Sequence, residues 1–143
     1  MKYMILLYGS QRDYDLMVGK PAAGQAAWSP EAVAAMHEFM GAWNQELVES
    51  GEFVDARGLA APAHTRRIHG LKDGVPVVTE GPYAETEEVL AGYTIVECAS
   101  FDRAVEIAAR VTKAPNPGSD RAMYVDVRPV IEGVDDLGGD AEV

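Results

Sequence analysis

The sequence of 143 residues contains one cysteine, three histidines and only 12 basic residues against 23 acidic ones. Each shortage removes a class of protein. With Cys98 alone, no intramolecular disulfide framework can form. A formal charge of 12 − 23 = −11 argues against nucleic acid and anionic membrane as partners, since both reward clustered positive charge. Arg66-Arg67 is too small a basic spot to change that balance. His64 and His69 are five apart, so on one strand they face opposite sides. Together with the lack of C-x-x-C and H-E-x-x-H, this gives no expectation of a metal site. There is also no G-x-S-x-G and no glycine loop to cradle a phosphate, and no cofactor is expected. The opening MKYMILLYGS has one Lys, a short apolar stretch and no A-x-A site, so it reads as a strand rather than a signal peptide. These absences leave the expectation of a soluble cytoplasmic domain.

What is present is 48% hydrophobic and 24% charged, the balance of a chain with a core. At 15.4 kDa it is one ordinary domain, and folding at that size buries roughly 68–70% of the unfolded surface. Residues 1–130 read as that domain and 131–143 as an acidic tail leaving it, carrying five acids and no basic residue.

Residues 2–8 form a continuous apolar run of strand length. Residues 9–28 mix Gly, Pro and polar residues without a period and read as a long irregular loop. Ser29-Pro30-Glu31 is a helix start, with a capping hydroxyl, a preset φ and an acid at the positive dipole end. Val33, Met36, Met40, Trp43 and Leu47 then make one stripe, and Gly51 stops the helix. A strand is predicted over 52–59. Asp73-Gly74 predicts a hairpin between 64–72 and 75–79. Another strand is predicted over 91–98, followed by a helix capped by Ser100 with Phe101, Ala104, Val105, Ala108 and Val111 inward. Residues 113–120 cannot be helical, and 122–128 alternate as a final strand.

Strand, helix, strand, hairpin, strand, helix, strand is the α+β layer solution: two helices on one face of an antiparallel sheet, close to the ferredoxin-like arrangement. The first strand is apolar on both faces, with Met4 and Leu6 on one and Tyr3, Ile5 and Leu7 on the other. A water-facing side would be polar in a monomer, so a homodimer packed sheet to sheet is expected.

Thr79-Glu80-Gly81-Pro82-Tyr83-Ala84-Glu85-Thr86, followed by Leu90-Ala91-Gly92-Tyr93, resembles the signature of the DGPF proteins of the YCII-related group. The opening strand, the helix 100–111 and Val125-Asp126-Val127-Arg128-Pro129-Val130 sit where that family has them. Glu80 stands for the usual Asp and Tyr83 for the usual Phe. The resemblance implies a dimeric α+β barrel of ferredoxin-like subunits, and a regulatory or stress context. It also implies an acid/base role for a histidine on the first helix, for which His37 is the candidate here.

His37 lies on the flank of the helix stripe, about 100° from Met36, where it serves either as an acid or base lining a cleft or as a hydrogen-bonded boundary residue. Glu80–Tyr83 is either a rigid corner, in which Pro82 biases Gly81 toward extended backbone and a short helix capped by Thr79 or Glu80 follows, or the mount that presents Tyr83 and Glu85 at the sheet rim. Tyr124, Asp126 and Arg128 alternate onto one face, which Tyr93 and Glu97 could share. Arg128 is either an anion site or half of an internal ion pair with Asp126 or Glu97. Cys98 reads as a small core residue. Candidate catalytic residues are thus His37 and Glu85, and candidate ligand-binding residues Tyr83, Tyr93, Tyr124 and Arg128. Three functional readings follow. One is a small-molecule-binding or regulatory module with its cleft between the sheet and segment 9–28. Another is a cofactor-independent lyase or isomerase using His37. The third is a homodimer without a ligand.

Overall fold

A computed structural model describes residues 1–22, 24–116 and 123–137. Strand β1 (Lys2–Gly9) runs into a short helix α1 (Gln11–Met17), and the long helix α2 spans Pro30–Ser50. Strand β2 (Phe53–Gly58) is followed by the hairpin β3 (Arg66–Lys72) and β4 (Val75–Glu80), then β5 (Val89–Glu97). Helix α3 (Phe101–Val111) and strand β6 (Val125–Pro129) complete the order. The main sheet has the order β2-β5-β1-β6, all pairs antiparallel, and β3-β4 form a separate two-stranded ribbon. Without the ribbon and α1, this is the ferredoxin-like α+β fold.

The expected irregular segment 9–28 contains α1, which corrects that reading. Ser10 accepts from the Asp13 backbone N–H, and the Asp13 carboxylate accepts from the Ser10 N–H at 2.8 Å. This reciprocal cap satisfies two end donors and starts a helix too short to show a period. Helix α2 begins and ends as its sequence signals predict, with Ser29 Oγ accepting from Ala32 N–H and Gly51 left-handed at φ 77°. In α3 the buried residues are Ala104, Ile107, Ala108 and Val111. Val105, expected inside, is 47% exposed, because Ile107 takes the stripe position beside Ala104 and Val111. Strand β6 starts at Val125, not at 122, and residues 117–122 and 138–143 lie outside the described part. The start of the expected acidic tail is pinned by Lys2, whose Nζ lies 2.7 Å from Glu132. It then makes a turn of 3-10 helix over Val134–Leu137.

The core lies between the sheet and the C-terminal half of α2 together with α3. Tyr3, Ile5 and Val96 from the strands meet Trp43, Leu47, Ala104, Ile107 and Val111. Trp43 Nε1 donates to the Ile107 carbonyl at 3.0 Å, tying the two helices together. Cys98 is buried there, and burial pushes its thiol up, away from thiolate chemistry. Arg103 of α3 forks onto Glu52, with Nε at 2.9 Å and Nη2 at 2.8 Å from the carboxylate. That guanidinium holds Glu52 down at about 2, against an ordinary 4.5. Because the folded value is depressed, the stabilisation is fully present above pH 4.5 and is lost as pH falls toward 2. Arg103 is 37% exposed, so screening reduces the pair to about 1 kcal/mol. Acid titration followed by circular dichroism is expected to show Glu52→Gln less stable than wild type at neutral pH, with the two converging near pH 2. Curves parallel throughout would mean that the pair contributes nothing.

The ribbon turns at Asp73-Gly74, both with positive φ as a type I′ turn needs. Every residue of β3 and β4 is exposed. The pairs Ile68–Val78 and Leu71–Pro76 put an apolar stripe on one face, while Arg67, Thr79, Lys72 and Val75 share the other. His69 occupies a bulge between Ile68 and Gly70 and bonds the Thr79 hydroxyl at 2.6 Å.

Candidate functional site

Met36, Met40 and Asn44 recur every four residues and therefore share one face of α2. Further along, the same helix presses Trp43 and Leu47 into the core, but this stretch stands off the sheet. The gap is a cavity of about 520 Å³, within the range of small-molecule sites. Its second wall is α1 with Asp13, Tyr14 and Met17, closed by Trp28 from the segment leading into α2. The floor is the helix-side face of the sheet, including Leu7, Ala56, Gly92 and Thr94. Met123 and Tyr124 border the mouth. The described part of segment 9–28 thus lines this cavity opposite the sheet, with α1 and Trp28.

Two details of the chain make this space. Ala91 is an extra residue against β1, since Leu7 pairs with Gly92 and Tyr8 with Leu90, and the bulge bends β5 at the cavity end. Gly92 lies so close to β2 that a Cβ there would sit 2.8 Å from the Arg57 carbonyl oxygen. The Tyr14 hydroxyl donates across the same end to the Leu59 carbonyl at 2.8 Å, so α1 is fastened to the sheet edge. Burial raises the Tyr14 phenol.

The mouth is polar. The Tyr8 hydroxyl donates to Asp126 at 2.6 Å, which pushes the phenol up to about 12 and keeps it protonated. Tyr8 stacks on Tyr124 at 5.5 Å between ring centroids, and the Tyr124 hydroxyl donates to Glu88 at 2.8 Å. Two carboxylates are therefore held by phenols whose residues border the cavity.

The sequence-predicted site residues are distributed over four places. Tyr93 and Tyr124 border the cavity. His37 is exposed on α2 and outside the lining, because one helical step turns it away from Met36. Tyr83 and Glu85 lie at the base of the ribbon, Tyr83 beside a second cavity of about 360 Å³ and under the Arg67 guanidinium at 5.1 Å. Exposed Glu85 presents its backbone carbonyl to the Arg12 N–H at 3.0 Å. Arg128 is on the open face of the sheet opposite Met4. Leu6 pairs with both Tyr93 and Asp126, so the shared face expected for Tyr93 and Asp126 is present. The internal ion pair expected of Arg128 does not form among the described residues: Asp126 takes Tyr8 instead, and Glu97 sits one strand pair away opposite Lys2.

The Glu80–Tyr83 segment is a corner. Gly81 has φ 53°, not the expected extended backbone, and its N–H donates to the Thr65 carbonyl at 2.9 Å, closing the ribbon. Glycine has no Cβ to oppose this, and the local pull of Pro82 is overridden. No helix follows; Glu87 N–H closes a turn on Ala84. Sequence reasoning missed Asn44, Thr94, Tyr14 and Trp28 as site residues, and of these only Tyr14 had a signal, the Ser10–Asp13 cap that creates α1.

A four-stranded sheet with the 2-3-1-4 order of its strands, two covering helices and a cavity under the free half of one helix define a ferredoxin-like domain with an internal pocket. The chain belongs to the YCII-related family, whose domain profile matches residues 1–129. It is also 33% identical over 107 residues to an uncharacterized protein of Rhizobium meliloti (strain 1021), a match covering 73% of this chain and 81% of that one. Among the described residues no three His, Cys, Asp or Glu side chains gather as a metal site, and no helix is long and apolar enough to cross a membrane.

Proposed function

We propose that this protein is a homodimeric small-molecule-binding module whose ligand enters the cavity between α2, α1 and the sheet. The observation that carries the reading is the cavity itself: about 520 Å³, walled by methionines and aromatics, with its few polar groups at defined places. His37 lies outside it, so binding does not depend on that side chain. The dimer is supported by the open face of the sheet, where Met4, Leu6, Tyr93 and Ile95 lie together by register. The exposed apolar stripe of the ribbon adds to it, since two strands alone are only marginally stable in water.

Native mass spectrometry tests both halves. The expected mass is twice 15.4 kDa, and a small molecule carried through purification would be lost in Met36→Trp, which fills the cavity. In a thermal-shift screen, compounds that raise the wild-type Tm are expected to lose their effect in Met36→Trp and keep it in His37→Ala. Hits that persist in Met36→Trp place binding elsewhere. A monomer at all concentrations removes the sheet-to-sheet dimer.

A further inference from the structure

We propose that the cavity selects a neutral, largely apolar ring compound with a single hydrogen-bonding end of the phenol type, received by Asn44 and Thr94. This rests on the cavity being the ligand site. Most polar groups around the cavity are already committed to protein partners. Asp13 takes the Ser10 N–H at 2.8 Å and the Ser10 hydroxyl at 3.0 Å. Arg57, at the rim, pairs with Asp55 at 3.1 Å. The Tyr14 hydroxyl is engaged by the Leu59 and Ala91 carbonyls. The phenols of Tyr8 and Tyr124 are held by Asp126 and Glu88.

Beside the Trp28 indole N–H and the Asn116 amide, two lining groups deeper in the fold have no such commitment. Thr94 is 2% exposed on the central strand β5, its side chain on the helix side with Ile5 and Ala56, and makes no side-chain hydrogen bond among the described residues. Asn44 has its Oδ1 sealed from bulk water with no donor. A buried amide oxygen without a donor is destabilising, and rotation about the soft terminal torsion of Asn44 turns it toward the lumen. The Asn44 oxygen needs a donor, and the Thr94 hydroxyl can give or accept. A phenolic O–H meets both, donating to one and accepting from the other.

Charge is excluded by the same surroundings. An anion has no hydrogen to give Asn44 and loses its hydration against Met17, Met36 and Met40. A cation finds no uncommitted carboxylate inside. The methionines and Trp28 suit a flat polarizable ring.

Three probes of nearly one shape separate the possibilities: 2-naphthol, 2-methoxynaphthalene and 2-naphthoate, titrated by calorimetry at neutral pH. The expected order is naphthol tightest, about tenfold over the methyl ether, with the carboxylate weakest. Thr94→Val, which keeps shape and strand preference, and Asn44→Leu are each expected to erase the advantage of naphthol over the ether. Equal binding of naphthol and ether overturns the hydrogen-bonding end while leaving the cavity as a site. Tightest binding of naphthoate overturns neutrality. If none of the three binds, and the hits of the thermal-shift screen also ignore Met36→Trp, the cavity reading itself falls.

Discussion

Trp43→Ala is expected to lower the stability of the fold by about 3–5 kcal/mol, the usual cost of removing a large buried aromatic. Trp43 is 3% exposed, and it belongs to the core cluster that α2 shares with the sheet residues Tyr3, Ile5 and Val96 and with α3. Its indole N–H is also the hydrogen bond that joins the two helices, to the Ile107 carbonyl. Domains of this size have only about 5–15 kcal/mol in total, so the variant sits near the edge of folding at 37 °C. Urea denaturation followed by circular dichroism measures the loss. Trp43→Phe separates the two contributions: it keeps most of the ring, discards the donor, and is expected to cost about 1–2 kcal/mol. A Trp43→Ala loss below about 1 kcal/mol would mean that α2 is anchored elsewhere, and that the cavity wall is not set by this contact.

The second large effect is expected at Gly92, where the added methyl is small and the space is smaller. An alanine Cβ would lie 2.8 Å from the Arg57 carbonyl oxygen and 3.4 Å from the Gly58 Cα, both backbone. No rotamer change relieves this, so β2 and β5 must part or tilt at the cavity floor. Overpacking of this kind costs about 1–3 kcal/mol, and here it also distorts the ligand site. Gly58→Ala is the matched control on the partner strand, with nothing within 4 Å of its added Cβ, and is expected to be almost silent. A thermal melt of the two variants side by side decides it. Equal Tm values for the two would refute the close approach.

Much of this architecture was legible in the chain, and the reasons are local. Ser29-Pro30-Glu31 and Gly51 delimit α2, Ser100 starts α3, and Asp73-Gly74 turns the ribbon, because caps and I′ turns depend on a few adjacent residues. Helix α1 was not legible from periodicity. It has seven residues, only Leu16 of them buried, and its evidence was the Ser10–Asp13 pair alone. The site was harder for a different reason. Met36, Met40, Trp43 and Leu47 form one stripe in the sequence, yet Met36 lines a cavity, Met40 touches both cavity and core, and Trp43 and Leu47 are core. Where a straight helix leaves a twisted sheet depends on its partner elements and leaves no mark on its own residues. Strand alternation put Tyr93 and Asp126 on one face, and the register of both with Leu6 agrees. His37, Tyr83, Glu85 and Arg128 were chosen for their chemistry, and the fold sends them to places that the cavity does not reach.

The ribbon has a consequence for how such a domain changes over generations. Its two ends meet at the hydrogen bond from Gly81 N–H to the Thr65 carbonyl, 2.9 Å long, so residues 66–80 leave the body and return to the point of departure. Removing or lengthening them leaves the closure already made by the body, and loop length carries only a slow, logarithmic entropic cost. None of those side chains is buried in the core that Trp43 and Leu47 hold together. Substitutions there are therefore nearly invisible to folding and fully visible to whatever touches the molecule from outside. The pocket and the ribbon can drift independently, one under the demands of packing and the other under those of association.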